Sequence, residues 1–244
     1  MTAVIRVGTS GYNYPEWRGT FYPAGLPAAA MLRFYAARFD TVEINASFYR
    51  LPTTTAVGGW AEMTPPGFVF VLKAPQRITH MRRLRDVDEP LAAFCDVARH
   101  LGAKLGPLFF QLPPTFKKDV DRLRALLARI PPDLRCAVEF RHASWFADDV
   151  YDALRARDAA LCVADTERGS TPDEATASWG YYRLRNVDYT DDALAAWARA
   201  IARPGRRRAY CYFKHEESGA GPGLAVRLRT ALARAAEGAR AQDS

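Results

Sequence analysis

Charged and amide side chains recur at the ends of short apolar runs along this chain. Ser10 follows VIRVGT (4–9), Glu43 and Asn45 end TVEIN (41–45), and Lys73 ends FVFVLKA (68–74), with Thr79 and His80 just beyond it. Gln111 sits in PLFFQL (107–112), Glu139, Arg141 and His142 in CAVEFRH (136–142), and Asp165 closes AALCVAD (159–165). Arg183 and Arg185 belong to GYYRLR (180–185), and Lys214, His215 and Glu216 end or follow RAYCYFK (208–214). Carboxylates and imidazoles in one place can exchange protons with a substrate, and lysine and arginine can hold phosphate or stabilise an anionic transition state. For each residue a structural reading stands beside the chemical one. Glu43 can pair with Lys73 or Arg141 as a salt bridge plugging a barrel, and Lys73 can be a phosphate ligand, a Schiff-base nucleophile or a counter-ion. Glu139 lies between Val138 and Phe140, so strand alternation sends it to the face opposite both. Inside a barrel it needs either a cationic partner or a raised pKa.

The elements that must position these groups follow from the rhythm of the sequence. About eight β-branched or aromatic runs alternate with amphipathic stretches at 27–39, 53–63, 88–101, 117–130, 147–157, 190–203 and 221–236. Alternation of this kind predicts parallel strands joined by helical crossovers, and about eight units in 244 residues predict an α/β fold, a TIM-like (β/α)8 barrel with outer helices. A doubly wound open sheet is the rival. The stretch 166–178 is too polar to assign, residues 1–244 read as one domain, and residues 237–244 read as a frayed tail. In a barrel the loops after all the strands open on one rim, so the scattered polar residues become one predicted site.

Composition and motifs narrow the chemistry. A formal charge of +7 permits attraction to phosphate, although arginine-rich helical faces such as RLRALLAR would give the same excess. No run is long and apolar enough to cross a bilayer, and MTAVIRVGTSG lacks the basic-then-apolar pattern of a signal peptide, so a cytoplasmic protein is expected. Cys95, Cys136, Cys162 and Cys211 stand singly in apolar segments, which predicts buried thiols. Neither GxGxxG after a strand nor GxxxxGK is present, and four histidines make no metal constellation. No cofactor is evident, although a single Mg²⁺ on Glu43, Glu139 or Asp165 is compatible with oxygen ligands and water. The loop GTSGYNYPEWRGTFYP (8–23) concentrates rings directly after the first predicted strand. Phe21 and Tyr22 are expected to pack it down, and Tyr12, Tyr14 and Trp17 to face a ligand.

That loop, VEINASFYRLP, LKAPQRITH, LFFQLPPTF, AVEFRHASW and the late YCYF together resemble the YecE-like proteins, domain of unknown function 72, across essentially the whole chain. The resemblance implies a TIM-type barrel, and likeness of such barrels to endonuclease IV has suggested nucleic-acid binding for the family. The family pattern is matched at Ser10, Tyr14, Trp17, Glu43, Asn45, Phe48, Tyr49, Lys73, His80, Gln111, Glu139, Arg141, His142, Trp145, Asp165 and Arg183, among others. Two motifs depart from it. YYRLRN puts Arg185 at the family's usual histidine, and YFKH puts Lys214 and His215 at its usual asparagines.

Two functions of different class are expected from these residues. In the first, a phosphate-bearing ligand, nucleotide or single-stranded nucleic acid, is bound or hydrolysed at the rim. Lys73, Arg141, Arg183, Arg185 and Lys214 would neutralise phosphate, and Tyr12, Tyr14, Trp17, Phe48, Tyr49 and Trp145 would stack on bases. Glu43 or Glu139 would then be the base for water and His80 or His142 the acid. In the second, Glu43 and Glu139 perform acid–base work on a carbohydrate, as glycosidase or isomerase. A non-catalytic barrel binding a ligand or partner is the remaining reading.

Overall fold

Each of the eight apolar runs forms a strand in the computed structural model, which describes residues 3–186, 188–215 and 219–242; Glu216 and the last two residues of the tail lie outside the described residues. The strands are β1 (Val4–Thr9), β2 (Thr41–Ile44), β3 (Val69–Lys73), β4 (Leu105–Gln111), β5 (Cys136–Glu139) and β6 (Ala160–Thr166), then β8 (Trp179–Leu184) and β9 (Arg208–Phe213). A two-residue β7 (Gly169–Ser170) turns back antiparallel on β6. The eight long strands are parallel neighbours in the order β1-β9-β8-β6-β5-β4-β3-β2, a nearly closed barrel. Helices α1 (Ala28–Ala36), α3 (Thr54–Glu62), α4 (Asp88–Arg99), α5 (Val120–Arg129), α6 (Asp148–Arg155), α7 (Asp191–Ile201) and α8 (Ala220–Gln242) surround it, with a one-turn α2 (Ala46–Tyr49) after β2. Several start at side-chain caps: Thr53, Asp119 and Thr190 accept the N–H of the third residue on, satisfying donors a helix start leaves open. Among the described residues no helix is long and apolar enough to cross a membrane.

Alternation along the strands creates two separate apolar regions. Val138, Phe110, Leu72 and Tyr182 face the helices, while Val69, Val71, Phe109, Ala137, Cys162, Tyr181 and Tyr212 fill the barrel interior. The polar segment 166–178 serves the edge of β6: Thr171 Oγ1 accepts from Ala164 N (2.9 Å), and Thr176 Oγ1 accepts from Leu161 N and donates to Ala159 O, both at 2.8 Å. Its threonines therefore replace ladder partners, which is why it carries no hydrophobic pattern.

Closure takes place between β1 and β2 with little backbone pairing and the help of a side chain. The one backbone bridge there pairs Ser10 with Glu43, and Gly11 N donates to Glu43 O at 2.7 Å. Gly11 has φ +93°, a conformation that favours glycine. Below it the Tyr35 hydroxyl enters the seam, accepting from Thr9 N at 2.9 Å and donating to Thr41 O at 3.0 Å. A Cβ on Gly8 would collide with the Thr41 carbonyl and crowd that hydroxyl, so the first glycine of GTSG makes room for the tyrosine.

Tyr35→Phe would leave Thr9 N–H and Thr41 C=O buried without partners, and should cost about 1–3 kcal/mol in urea unfolding. Tyr182 provides the contrast, because its buried hydroxyl has no hydrogen-bond partner among the described residues. Tyr182→Phe should leave the unfolding midpoint unchanged or raise it slightly, and equal losses for the two variants would refute this account of the seam.

Candidate functional site

Arg183 is the last inward residue of β8, two positions after Tyr181, and its side chain is 1% exposed. A guanidinium cannot lose its charge in a protein, so burying it requires anions. Nη2 meets Glu43 Oε1 from β2 at 3.0 Å and Nη1 meets Glu139 Oε2 from β5 at 2.7 Å. The same group lies over the Phe109 ring, 4.8 Å from its centroid, and Phe109 stacks on Tyr181 at 5.0 Å. Glu43 is completed by Ser10 Oγ, which donates to Oε1, and by Tyr181 OH, which donates to Oε2 at 2.5 Å. Asn45 Nδ2 in turn donates to Ser10 Oγ at 2.7 Å.

Glu139 gathers more partners. Gln111 Nε2 donates to its Oε1 at 2.8 Å, Arg141 Nε at 3.1 Å, and Arg185 Nη1 lies 3.9 Å from the same oxygen. Burial by itself would raise this carboxyl, but Arg183 and then Arg141 outweigh it and hold Glu139 down at about 2. Gln111 passes the network on, accepting at Oε1 from Lys73 Nζ at 2.9 Å. Lys73 is 7% exposed and sits 4.1 Å from the centroid of the Phe48 ring. Burial pushes its ammonium down to about 7, and the charge of Arg183 adds to the effect. His80 packs edge-on against Phe48 at 4.9 Å, and burial, then Lys73, lower its ring to about 4. The charge of Lys214, after β9, also reaches Lys73.

Nine of the residues singled out in the sequence thus meet in one group joined by hydrogen bonds and ion pairs, Ser10, Glu43, Asn45, Lys73, Gln111, Glu139, Arg141, Arg183 and Arg185, with Phe48 and His80 packed at its Lys73 end. Others lie elsewhere. Trp17 is 1% exposed and packs against Tyr14, Phe21 and Tyr22, and Trp145 is 0% exposed, stacked on Phe140 at 4.7 Å with Nε1 donating to Phe116 O. Neither offers a ring face to a ligand. Tyr14 donates to Ser10 O, and Tyr12 is half-buried beside Tyr35, while Tyr49 stands 74% exposed. His142 opens a turn, its Nδ1 accepting from Ser144 N, and His215 Nε2 donates to Asn186 O. Asp165 accepts from Ser170 Oγ and Tyr189 OH, both at 2.6 Å, which ties the β7 turn to the rim. Among the described residues no three His, Cys, Asp or Glu side chains are grouped to hold a metal ion.

Two contributors were not singled out from the sequence. Tyr181 shares the inward face of Arg183 by its two-residue spacing, a signal masked by the aromatic character of the strand run. Arg168, in the unassigned stretch, lines a cleft of about 690 Å³ together with Arg141, Arg185, Glu139, Glu167 and Phe146.

Glu139 contributes stability with a defined pH window. Its folded pKa lies below the ordinary 4.5, so its contribution is complete above that value and is lost as pH falls toward about 2. Acid unfolding followed by circular dichroism should steepen through this window, and Glu139→Gln should flatten that part of the curve. Arg183→Met, which strands two buried carboxylates, should cost about 3–5 kcal/mol at neutral pH.

The fold and much of this chain recur in known proteins. In solved structures, a DUF72 family protein, TM1631, from Thermotoga maritima MSB8 superposes with a TM-score of 0.83 and 26% identity over 94% of this chain and 99% of that one. A second, EF0366 from Enterococcus faecalis V583, gives 0.79 at 18% identity over 94% and 95%, which bears on the fold alone. In sequence, UPF0759 protein YecE of Escherichia coli (strain K12) is 31% identical over 145 residues, 59% of this chain and 51% of that protein. UPF0759 protein YunF of Bacillus subtilis (strain 168) is 31% identical over 158 residues, 61% and 55%. The chain matches about half the length of these curated relatives. The model of the family "Protein of unknown function DUF72" matches residues 6–244, and the chain therefore belongs to the DUF72 family.

Proposed function

We propose that this barrel binds a small phosphate-bearing ligand at its carboxyl-end rim, in the cleft between β5, β6 and the β7 turn. The observation that carries the reading is the imbalance of charge around Glu139. Arg183 is engaged between two carboxylates, and Arg141 and Arg185 then converge on one remaining oxygen, so three guanidinium groups meet two carboxylates. Arg141 and Arg185 keep 31% and 23% of their side-chain surface exposed and line the 690 Å³ cleft, so their remaining N–H donors are available to an anion. Arg185 is one of the two departures from the family pattern, and it adds a fixed charge to that wall.

The same geometry weighs against hydrolysis by paired carboxylates. Glu139 held at about 2 has no proton to give at neutral pH, and Glu43 is enclosed by Arg183, Ser10 and Tyr181. It also favours a compact ligand over an extended nucleic acid, because Trp17 and Trp145 are buried and only Tyr49 of the expected stacking rings stands well exposed.

Isothermal titration with inorganic phosphate, a nucleoside monophosphate and a single-stranded oligonucleotide tests this. Phosphate-bearing small ligands should bind, and Arg141→Ala and Arg185→Ala should each weaken them on the order of tenfold, the loss of one charge-assisted contact. Unaltered affinity in both variants would refute the assignment to this cleft. Oligonucleotide binding that strengthens steeply as salt is lowered, with no mononucleotide binding, would favour the nucleic-acid reading instead.

A further inference from the structure

Lys73 is a buried amine that phosphate binding by Arg141 and Arg185 does not use. Of the three roles open to it, counter-ion fits least. Both inward carboxylates are engaged by Arg183, and no carboxylate among the described residues lies within ion-pair distance of Lys73 Nζ. Its nitrogen instead touches two uncharged groups, the Gln111 carbonyl oxygen at 2.9 Å and the face of Phe48 at 4.1 Å. Gln111 has no freedom to turn: an ionised Glu139 only accepts, so the amide must present its NH₂ there and its oxygen to Lys73. An amine buried with a single hydrogen-bond acceptor, no carboxylate in contact among the described residues and the charge of Arg183 acting on it is placed to lose its charge and offer a lone pair, against the pull of the Phe48 face towards the ammonium.

We propose that Lys73 condenses with the carbonyl carbon of a small phosphorylated aldehyde or ketone whose phosphate is held by Arg141 and Arg185. This deepens the phosphate reading given above and rests on it. The two ends of the site are close in bonding terms: Lys73 reaches Gln111, Gln111 reaches Glu139, and Arg141 binds that same Glu139 oxygen. One amide side chain separates the amine from the carboxylate that anchors the arginine, a span suited to a molecule of a few carbons. In the reaction the lysine lone pair forms a C–N bond to the carbonyl carbon. Both amine hydrogens then leave with the carbonyl oxygen as water, giving an imine with no net change in redox state. Depression of the amine to about 7 leaves a substantial neutral fraction at neutral pH.

The charged and titratable groups that act on Lys73 are Glu43 on β2, His80 after β3, Glu139 on β5, Arg183 on β8 and Lys214 after β9. The imine should accordingly form faster as pH rises through about 7.

The test is reductive trapping of the unmodified protein with glyceraldehyde 3-phosphate and sodium cyanoborohydride, mapped by peptide mass spectrometry. The expected result is one adduct, at Lys73, formed about tenfold or more faster than with unphosphorylated glyceraldehyde, as two arginine–phosphate contacts imply. Inorganic phosphate should slow it, and a folded Lys73→Arg protein should show none. Adducts spread over Lys104, Lys117, Lys118 and Lys214 with Lys73 unmodified would overturn the proposal. Titration with inorganic phosphate keeps the two readings apart. Phosphate binding with Lys73 untouched overturns the lysine chemistry and leaves the cleft assignment standing. Equal trapping of both aldehydes at Lys73 with no phosphate binding overturns the cleft assignment and, with it, this substrate class.

Discussion

The placement of Arg183 constrains everything else at the mouth of this barrel. A permanently charged guanidinium taken out of water costs several kcal/mol unless anions and donors are supplied in fixed positions. Here the anions come from β2 and β5, on opposite flanks of the β8 strand that carries the arginine. Strand order, register and the inward alternation of three strands must all agree for that contact to form. The remaining carboxylate oxygens are completed by Ser10, Tyr181, Gln111 and Arg141, so the charge centre extends into a hydrogen-bonded layer capping the aromatic interior.

That layer decides which groups are left for chemistry. Two carboxylates that looked like an acid and a base are held as partners of one cation, and the pull of Arg183 keeps Glu139 ionised. The same cation acts on Lys73 in the opposite sense, favouring its neutral form. Fixing Glu139 also fixes Gln111, and fixing Gln111 fixes the nitrogen of Lys73. Towards solvent, Arg141 and Arg185 share what remains of Glu139 and line a cleft with spare donors. The site is thus polarised, with an amine on one side of Glu139 and exposed guanidinium groups on the other.

The seam between β1 and β2 shows a related economy. A closed ladder is replaced by one backbone bridge and a tyrosine hydroxyl, and the bridge joins Ser10 to Glu43, two members of the charge network. Barrel closure and the positioning of Glu43 are therefore one event. Gly8 and Gly11 serve this junction, one by leaving room for Tyr35 and the other by its positive φ.

The strands and helices were legible in the sequence because their periods, two and 3.6, are local properties that survive without knowing the neighbours. The alternation of strand and helix implied parallel strands, which implied one rim and placed Ser10, Glu43, Lys73, Gln111, Glu139, Arg141, Arg183 and Arg185 on it. Pairing was not legible. Nothing local says that Arg183 would take both Glu43 and Glu139 and leave Lys73 to an amide, since those contacts join residues as many as 140 positions apart. The rings were ambiguous for a similar reason. Trp17 and Trp145 have the composition of a ligand wall, yet an aromatic side chain buries as readily against its own loop as against a guest. Residue type and spacing determined which groups reach the barrel mouth; only the tertiary structure decided which of them neutralise one another, because charge and burial depend on neighbours that the chain brings together from afar.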